Sequence, residues 1–301
     1  MRMPRPAVVV AAAVAGALVV AGGVAVVWAR SLFAEPGARR IASLVDELGA
    51  RSIVAVLAHP DDEIKICGLL ADAGRRRDVT ARLITAARGD GGMVSPEFPR
   101  ATLAATREAE VRRHGAELGL AEQEVWPYDD AHLDDVPLAA LTARVVERLR
   151  AWQPDVVVTF EPSTGFTAHP DHLRIGAAAT AAFCAVAGDA HAPRWLVYIL
   201  APRGAARVFG GERGRRVAAL EPAPEYAVHV EPWLRVRGWD AHRSQRDYVR
   251  RHAHLPAWLL YRLYDDEHYV AWDRARACGD HPGGRQNSAV GSSPGGSPGQ
   301  P

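Results

Sequence analysis

The sequence predicts an α/β protein: a Rossmann-like, doubly wound, mainly parallel sheet with helices on both faces, preceded by an N-terminal transmembrane helix. Three observations carry this reading. Short Val/Ile/Leu runs recur without polar alternation, as strands covered on both faces require. These runs alternate with stretches of helical length, the pattern of right-handed crossovers. The chain also opens on an uncharged apolar segment of bilayer length.

That segment, "PAVVVAAAVAGALVVAGGVAVVWA" over 6–29, follows Arg2 and Arg5 and precedes Arg30. At about 1.5 Å per residue it crosses a hydrocarbon layer of roughly 30 Å. It exceeds the apolar region of a cleaved signal peptide, roughly 7–15 residues, and no small-x-small site follows Trp28. Residues 1–30 therefore read as an uncleaved single-pass anchor, with Trp28 at the interface and an extracytoplasmic catalytic domain; cleavage would make the protein secreted. Residues 31–50 read as a linker with a short amphipathic helix at 41–49, and 51–278 as the catalytic domain.

Within it, "RSIVAVLA" (51–58) is the first strand, "ICGLLADAGRR" a helix, "VTARLITA" (79–86) the second strand and "RGDGG" (88–92) a turn. A helix over 99–119 ends at Gly119, "QEVWPY" is a strand, 136–152 a helix, "DVVVTF" (155–160) a strand, and 170–187 a helix. "RWLVYIL" (194–200) closes the strand series, and periodicity predicts helices over 239–253 and 256–272 packed on the main domain. The tail 279–301 is Gly/Ser/Pro-rich and predicts disorder.

Charge is balanced, with 36 Lys+Arg against 35 Asp+Glu, and Lys65 is the single lysine. A nucleic-acid partner is not expected, because phosphate-backbone binding needs a clustered basic surface. "RRR" (75–77) and "ERGRR" (212–216) read as solvated faces. Three cysteines lie far apart without a CxxC pair, so neither a disulfide framework nor a thiolate zinc site is indicated, and Cys67 reads as packing.

The chemistry concentrates in two motifs. "AHPDDE" (58–63) follows the first strand, and "AHPDHL" (168–173) follows the strand at 155–160. Both fall past the carboxyl ends of strands, where open α/β sheets bind ligands. A hydrolytic metal centre needs nitrogen and carboxylate ligands, an open position for water, and a separate base. His59 and Asp62 are three residues apart on a tight turn and can converge on one ion, while Asp61 projects differently and can address the water. His172 completes a two-histidine, one-carboxylate shell that suits Zn²⁺ and also accepts Fe²⁺. His169 stands nearby to steady an oxyanion or protonate a leaving group, and Asp171 can fix an imidazole tautomer. Turn and N-cap chemistry explains either motif singly, but not both together behind two Val-rich strands.

The chain resembles the PIG-L/LmbE-type zinc de-N-acetylases over roughly 52–245. The resemblance lies in "AHPDDEIKICG", "ARGDGG" (87–92), "REAEVRRHGAELG" (107–119), "HPDH" (169–172) and "AHRSQ" (241–245). It implies His59, Asp62 and His172 as metal ligands, Asp61 as general base and His169 as transition-state partner. Arg88, Asp90, Asp130 and His242 follow as substrate-contact candidates. Asp90 stands where the family commonly has glutamate, and Thr167 stands where some sugar deacetylases carry tyrosine. The implied reaction removes an N-acetyl or other N-acyl group from an N-acetylglucosaminyl-type substrate, releasing acetate and a free amine. Two rivals fit less well. A metal-dependent phosphoesterase would favour a carboxylate and water shell, and a tethered glycan-binding protein has no use for Asp61.

Overall fold

The computed structural model describes residues 6–279. It begins with α1 (Pro6–Phe33), whose side chains from Ala13 to Trp28 are all exposed. The last residue of α1 is packed: Phe33 stacks on Tyr264 at 5.2 Å between ring centroids. Then follow β1 (Arg39–Ile41) and α2 (Leu44–Leu48). Ser43 caps α2 by accepting the Asp46 N–H, and Gly49 ends it at φ 58°, a conformation glycine adopts without a Cβ penalty.

The doubly wound half runs β2 (Ser52–Leu57), α3 (Cys67–Arg75), β3 (Thr80–Ala87), α4 (Arg100–Glu117), β4 (Glu122–Tyr128), α5 (Leu138–Trp152) and β5 (Val156–Phe160). A short kinked turn α6 (Gly165–Ala168) leads into α7 (Pro170–Ala185) and β6 (Trp195–Leu200). A helical hairpin of α8 (Arg203–Phe209) and α9 (Gly211–Leu220) precedes β7 (Tyr226–His229). The chain closes with α10 (Pro232–Ala241), α11 (Tyr248–Ala253), α12 (Ala257–Leu263), β8 (Asp266–Trp272) and α13 (Arg274–Cys278).

These strands form one sheet in the order β1-β7-β8-β6-β5-β2-β3-β4. All pairings are parallel except those of β8, which is antiparallel to both β6 and β7. The chain winds outward from β2 through β3 to β4, then returns to place β5 against the other side of β2, in register Val54↔Val157. The crevice between β2 and β5 is the topological switch point, so the loops leaving these two strands meet. Both strands are sealed by helices: β5 is buried along its whole length and β2 from Ile53 onward. A smaller cluster of Ile64, Trp239, Val249 and Tyr261 ties the C-terminal helices to the first motif.

The structure departs from the sequence expectations at both ends of the domain. The helix expected over 256–272 stops at Leu263, and Asp266–Trp272 is a strand with six of seven residues buried. A helix-like apolar pattern in so short a stretch cannot exclude a covered strand. The helix expected over 239–253 is broken into α10, a turn at Arg243–Gln245, and α11. β1 and β7 were not expected, and the segment 31–50 is not a free linker. β1 joins the sheet, and the buried Glu35 accepts the Arg203 N–H at 2.7 Å and its guanidinium at 2.7 Å. Cys184 and Cys278, 94 residues apart, form a disulfide that their sequence spacing did not indicate, while Cys67 is free and buried. Arg2, Arg5 and, beyond Gly279, the expected tail lie outside the described residues.

Candidate active site

The loop after β2 is built around its own carboxylates. Asp62 Oδ2 accepts the His59 backbone N–H at 2.8 Å, closing the turn. Asp61 sits at φ 100°, a conformation costly for a non-glycine residue, and its N–H is held by Glu63 Oε2 at 3.0 Å. Arg107 on α4 reaches over this loop, donating to Pro60 O, to Asp61 Oδ2 at 2.7 Å and to Gly89 O at 2.8 Å.

The loop after β5 is shaped by Glu161, whose Oε2 accepts the N–H groups of Ser163 and Thr164. Gly165 takes φ 56° and lies so close that a Cβ there would come within 3.0 Å of His172 Cβ. His169 then caps α7, its Nδ1 accepting the Asp171 N–H at 3.2 Å, with Pro170 in the first turn.

These loops bring three donor groups together. His59 Nδ1 and His172 Nε2 are 3.3 Å apart, and each faces an oxygen of Asp62, at 3.5 Å (Oδ2) and 3.3 Å (Oδ1) respectively. The other nitrogen of each ring bonds outward. His172 Nδ1 donates to Gly165 O at 2.8 Å; His59 Nε2 faces Asp171 Oδ2 at 2.9 Å and Asp130 Oδ1 at 3.1 Å. Because a carbonyl or carboxylate oxygen only accepts, the outer nitrogens carry protons, and an ion that displaced the inner protons would meet both inner lone pairs. A tetrahedral ion bound at about 2.0–2.1 Å needs donor–donor edges of about 3.3–3.4 Å. The spacings of His59, His172 and the two Asp62 oxygens are of the size such an ion spans, with outward bonds of the kind that orient metal-binding histidines.

Electrostatics follow the same arrangement. Burial would push the Asp62 carboxyl up, but His172, Lys65 and His59 hold it well below the usual range. Burial also opposes charge on His59, yet Asp130, Asp171 and Asp62 keep its pKa well above that of a free imidazole. His169 is pushed down by burial and by His59 and His172, which favours its neutral form. Asp171 is fully buried and also accepts the N–H groups of Ala131 (2.7 Å) and Leu133 (3.1 Å), tying the loop after β4 to the site.

The cluster opens on a cavity of about 550 Å³. His59, Asp61, Asp62, Asp130, His169 and His172 form its polar wall, and Phe166, Trp239, Tyr248 and Tyr261 its aromatic one. A larger groove of about 980 Å³ between α5 and α7 contains none of the motif residues. The 550 Å³ cavity is the functional candidate because the convergent chemistry faces it.

Three expected substrate contacts are corrected. His242 is fully buried and bonded through Nε2 to Glu63 Oε1 at 2.5 Å, away from the cavity wall. Arg88 and Asp90 do not line the cavity; Asp90 Oδ1 instead accepts the Asp130 N–H at 2.9 Å. Two charged cavity residues, Arg107 and Lys65, were not among the expected site residues. Arg107 lay in plain view in the R-x-x-E stretch of α4. Lys65, the single lysine, donates to Asp62 Oδ1 at 2.7 Å. The rest of the C-terminal motif locks structure: Ser244 binds Glu110, and Gln245 pins Met93 through N–H to Oε1 at 2.9 Å.

A family model described as "PIG-L: GlcNAc-PI de-N-acetylase" matches residues 54–183. The chain is 33% identical over 168 residues to a 1D-myo-inositol 2-acetamido-2-deoxy-alpha-D-glucopyranoside deacetylase of Kineococcus radiotolerans, covering 46% of each protein. The chain thus spans about half the length of that relative. A second deacetylase of that name, from Frankia casuarinae, is 27% identical over 296 residues, covering 79% of this chain and 92% of the relative. The solved structure of N,N'-diacetylchitobiose deacetylase from Pyrococcus horikoshii superposes with a TM-score of 0.57 at 18% identity, over 77% of this chain and 90% of that one. That likeness bears on the fold alone.

Proposed function

We propose that this chain, whose residues 54–183 are a PIG-L family domain, is a metal-dependent hydrolase that removes an N-acetyl or other N-acyl group from an N-acetylglucosaminyl-type substrate. The observation that carries this reading is the meeting of two imidazole nitrogens 3.3 Å apart with the two oxygens of Asp62, at 3.5 and 3.3 Å, beside the Asp61 carboxylate on an aromatic-walled cavity. Zn²⁺ held by His59, Asp62 and His172, or Fe²⁺ in the same shell, would polarise the amide carbonyl and acidify water.

The chain's own groups do the rest. Asp61, aimed by Arg107 at its Oδ2 and by Glu63 at its backbone, takes the proton of the attacking water. Asp171 donates its N–H to His169 Nδ1, which leaves the His169 proton on Nε2, free to donate to the oxyanion. The protonated Asp61 then delivers its proton to nitrogen as the C–N bond breaks, giving acetate and a free amine. Asp171 keeps His59 in the tautomer that presents Nδ1 inward. Asp130, on the cavity wall and held by Arg107 at 3.3 Å, is placed for a sugar hydroxyl.

The proposed site is carried on a single-pass anchor. α1 contains a 21-residue apolar span, Ala13–Phe33, with no burial against the domain along its apolar window. A disulfide in the domain supports an extracytoplasmic location, since thiols are kept reduced in the cytosol. The test is to purify the full chain in detergent, measure bound metal by elemental analysis, and assay amine release from N-acetylglucosaminyl-inositol and simpler N-acetylglucosaminides. Near-stoichiometric zinc or iron with amine release is expected. A chain that takes up no metal on addition of either ion overturns the reading.

A further inference from the structure

The α8–α9 hairpin is not used by the proposed reaction, yet its surface is unusual for a solvated element. Its tip exposes Val208 and Phe209 by 50% and 66%, apolar area that is unfavourable in water. Around the tip, Arg207, Arg213, Arg215 and Arg216 are exposed beside a single acid, Glu212, and none of the four has an ion-pair partner among the described residues. Apolar side chains ringed by unpaired guanidinium groups match the two layers of an anionic bilayer surface.

The hairpin is also fixed against the membrane helix. Arg203, which opens α8, is bound to Glu35 just beyond α1, and Gly204 lies so close that a Cβ there would meet the Leu32 carbonyl oxygen at 2.6 Å. From Gly204 to Phe209 is about 8 Å of helix. The uncharged run of α1 ends at Ala29, with Trp28 at the interface and Arg30 after it, so Leu32 lies about 6 Å beyond the plane where α1 leaves the acyl region. The hairpin is thus rooted on the headgroup side of that plane, with its tip about 8 Å of helix from the root. α12 packs on α1 as well and exposes Trp258 by 49%, a residue type favoured at such interfaces.

We propose that the α8–α9 tip is a membrane-docking element. Val208 and Phe209 enter the headgroup layer of the bilayer that α1 crosses, and the four arginines bind the phosphates of anionic lipids. This rests on α1 being a membrane anchor. Because α9 packs on α6, which contributes Phe166 and Thr167 to the cavity wall, docking sets the cavity mouth at a defined height above the membrane.

The experiment uses the full chain in lipid nanodiscs of phosphatidylcholine, with or without phosphatidylglycerol. Nitroxide labels are attached one at a time through Val20→Cys, Val208→Cys, Phe209→Cys and Glu117→Cys. Cys67 is buried and Cys184 and Cys278 are bonded to each other, so the introduced thiol reacts alone. Glu117 ends α4 beside β4, the sheet edge opposite β1, and serves as the aqueous control. Collisions with oxygen are expected to exceed those with a nickel chelate at 20, 208 and 209, and the reverse at 117. The tip signal should deepen with phosphatidylglycerol and lose that gain when the four arginines are replaced by glutamine. An aqueous tip with a lipid-exposed residue 20 overturns the docking and leaves the anchor intact, whereas an aqueous residue 20 overturns the anchor reading itself. Spin–spin broadening at an aqueous tip would assign the face to a second copy of the chain. Equal depth in both lipid mixtures would overturn the arginine–phosphate assignment.

Discussion

Two clusters in this protein are each made of one carboxylate and two histidines, and their carboxylates, Asp62 and Glu63, are adjacent in sequence. In the first, Asp62 faces His59 and His172 at 3.3–3.5 Å beside a cavity. In the second, Glu63 bonds His114 Nδ1 at 2.6 Å and His242 Nε2 at 2.5 Å, and all three are buried. The second set is closed by direct hydrogen bonds between its members, both made to Glu63 Oε1. The first bonds its outer ring nitrogens to Asp171 and Gly165, and so turns its two inner nitrogens toward each other and toward Asp62. Ligand type therefore does not make a metal site; the direction of the second hydrogen bond does. The sealed cluster still serves the open one, because Glu63 Oε2 holds the backbone of Asp61.

The largest effect expected is on turnover. Asp61→Asn should retain metal while losing about 10²–10⁴ of activity, the usual worth of a positioned base. Unchanged turnover in a metal-loaded sample would remove Asp61 from the reaction. His172→Ala should abolish metal binding by elemental analysis, yet leave the metal-free melting temperature nearly unchanged.

His242→Ala should do the opposite. Breaking the sealed ion pair leaves Glu63 with one imidazole, and about 3–5 kcal/mol of stability is at stake for a buried pair. Denaturant melts and metal content measured on the same preparation would separate the two clusters. Loss of metal without loss of stability would show that the clusters had been assigned the wrong way round.

A third buried carboxylate sharpens the point about partners. The imidazoles of His242 and His114 outweigh burial and hold Glu63 well below the usual carboxylate range. Glu221 is buried with no ion pair among the described residues and near Glu161 and Glu35; burial chiefly, with those charges, pushes its pKa up to about 9. Its folded form keeps a proton that the unfolded chain loses near pH 4.5, so its contribution to stability falls as pH rises from there to about 9. Glu221→Gln should match the wild type at pH 5 and exceed it at pH 8.5 by about 1 kcal/mol or more, ~2–4 °C in melting temperature. Equal pH slopes for the two proteins would mean that Glu221 is ionised in the fold.

The smallest effect concerns Lys65, whose ammonium lies on the Asp62 oxygen that a metal would share. Lys65→Met should tighten zinc binding several-fold in a competition titration, by removing a like charge from the ion's surroundings. Weaker binding would instead make Lys65 a support for the site.

The residues settle a good deal locally. An uncharged run of bilayer length dictates α1. The covered strands β2 and β5 follow from apolar runs without alternation, and the motifs at their ends put His59, Asp61, Asp62, His169 and His172 at a ligand crevice. Each of these is a short-range pattern whose physical meaning holds within a window of a few residues. What the window cannot hold was decided by packing between distant segments. The pairing of β8 with β6 and β7 turned half of an expected helix into a strand. Cys184 met Cys278 across 94 residues, and His242 met Glu63 across 179, burying a residue whose sequence placed it equally well at the substrate mouth. Arg107 came to Asp61 only because α4 lies over the β2 loop. Side-chain type and spacing are local properties, whereas burial, hydrogen-bond direction and access to solvent belong to the assembled chain.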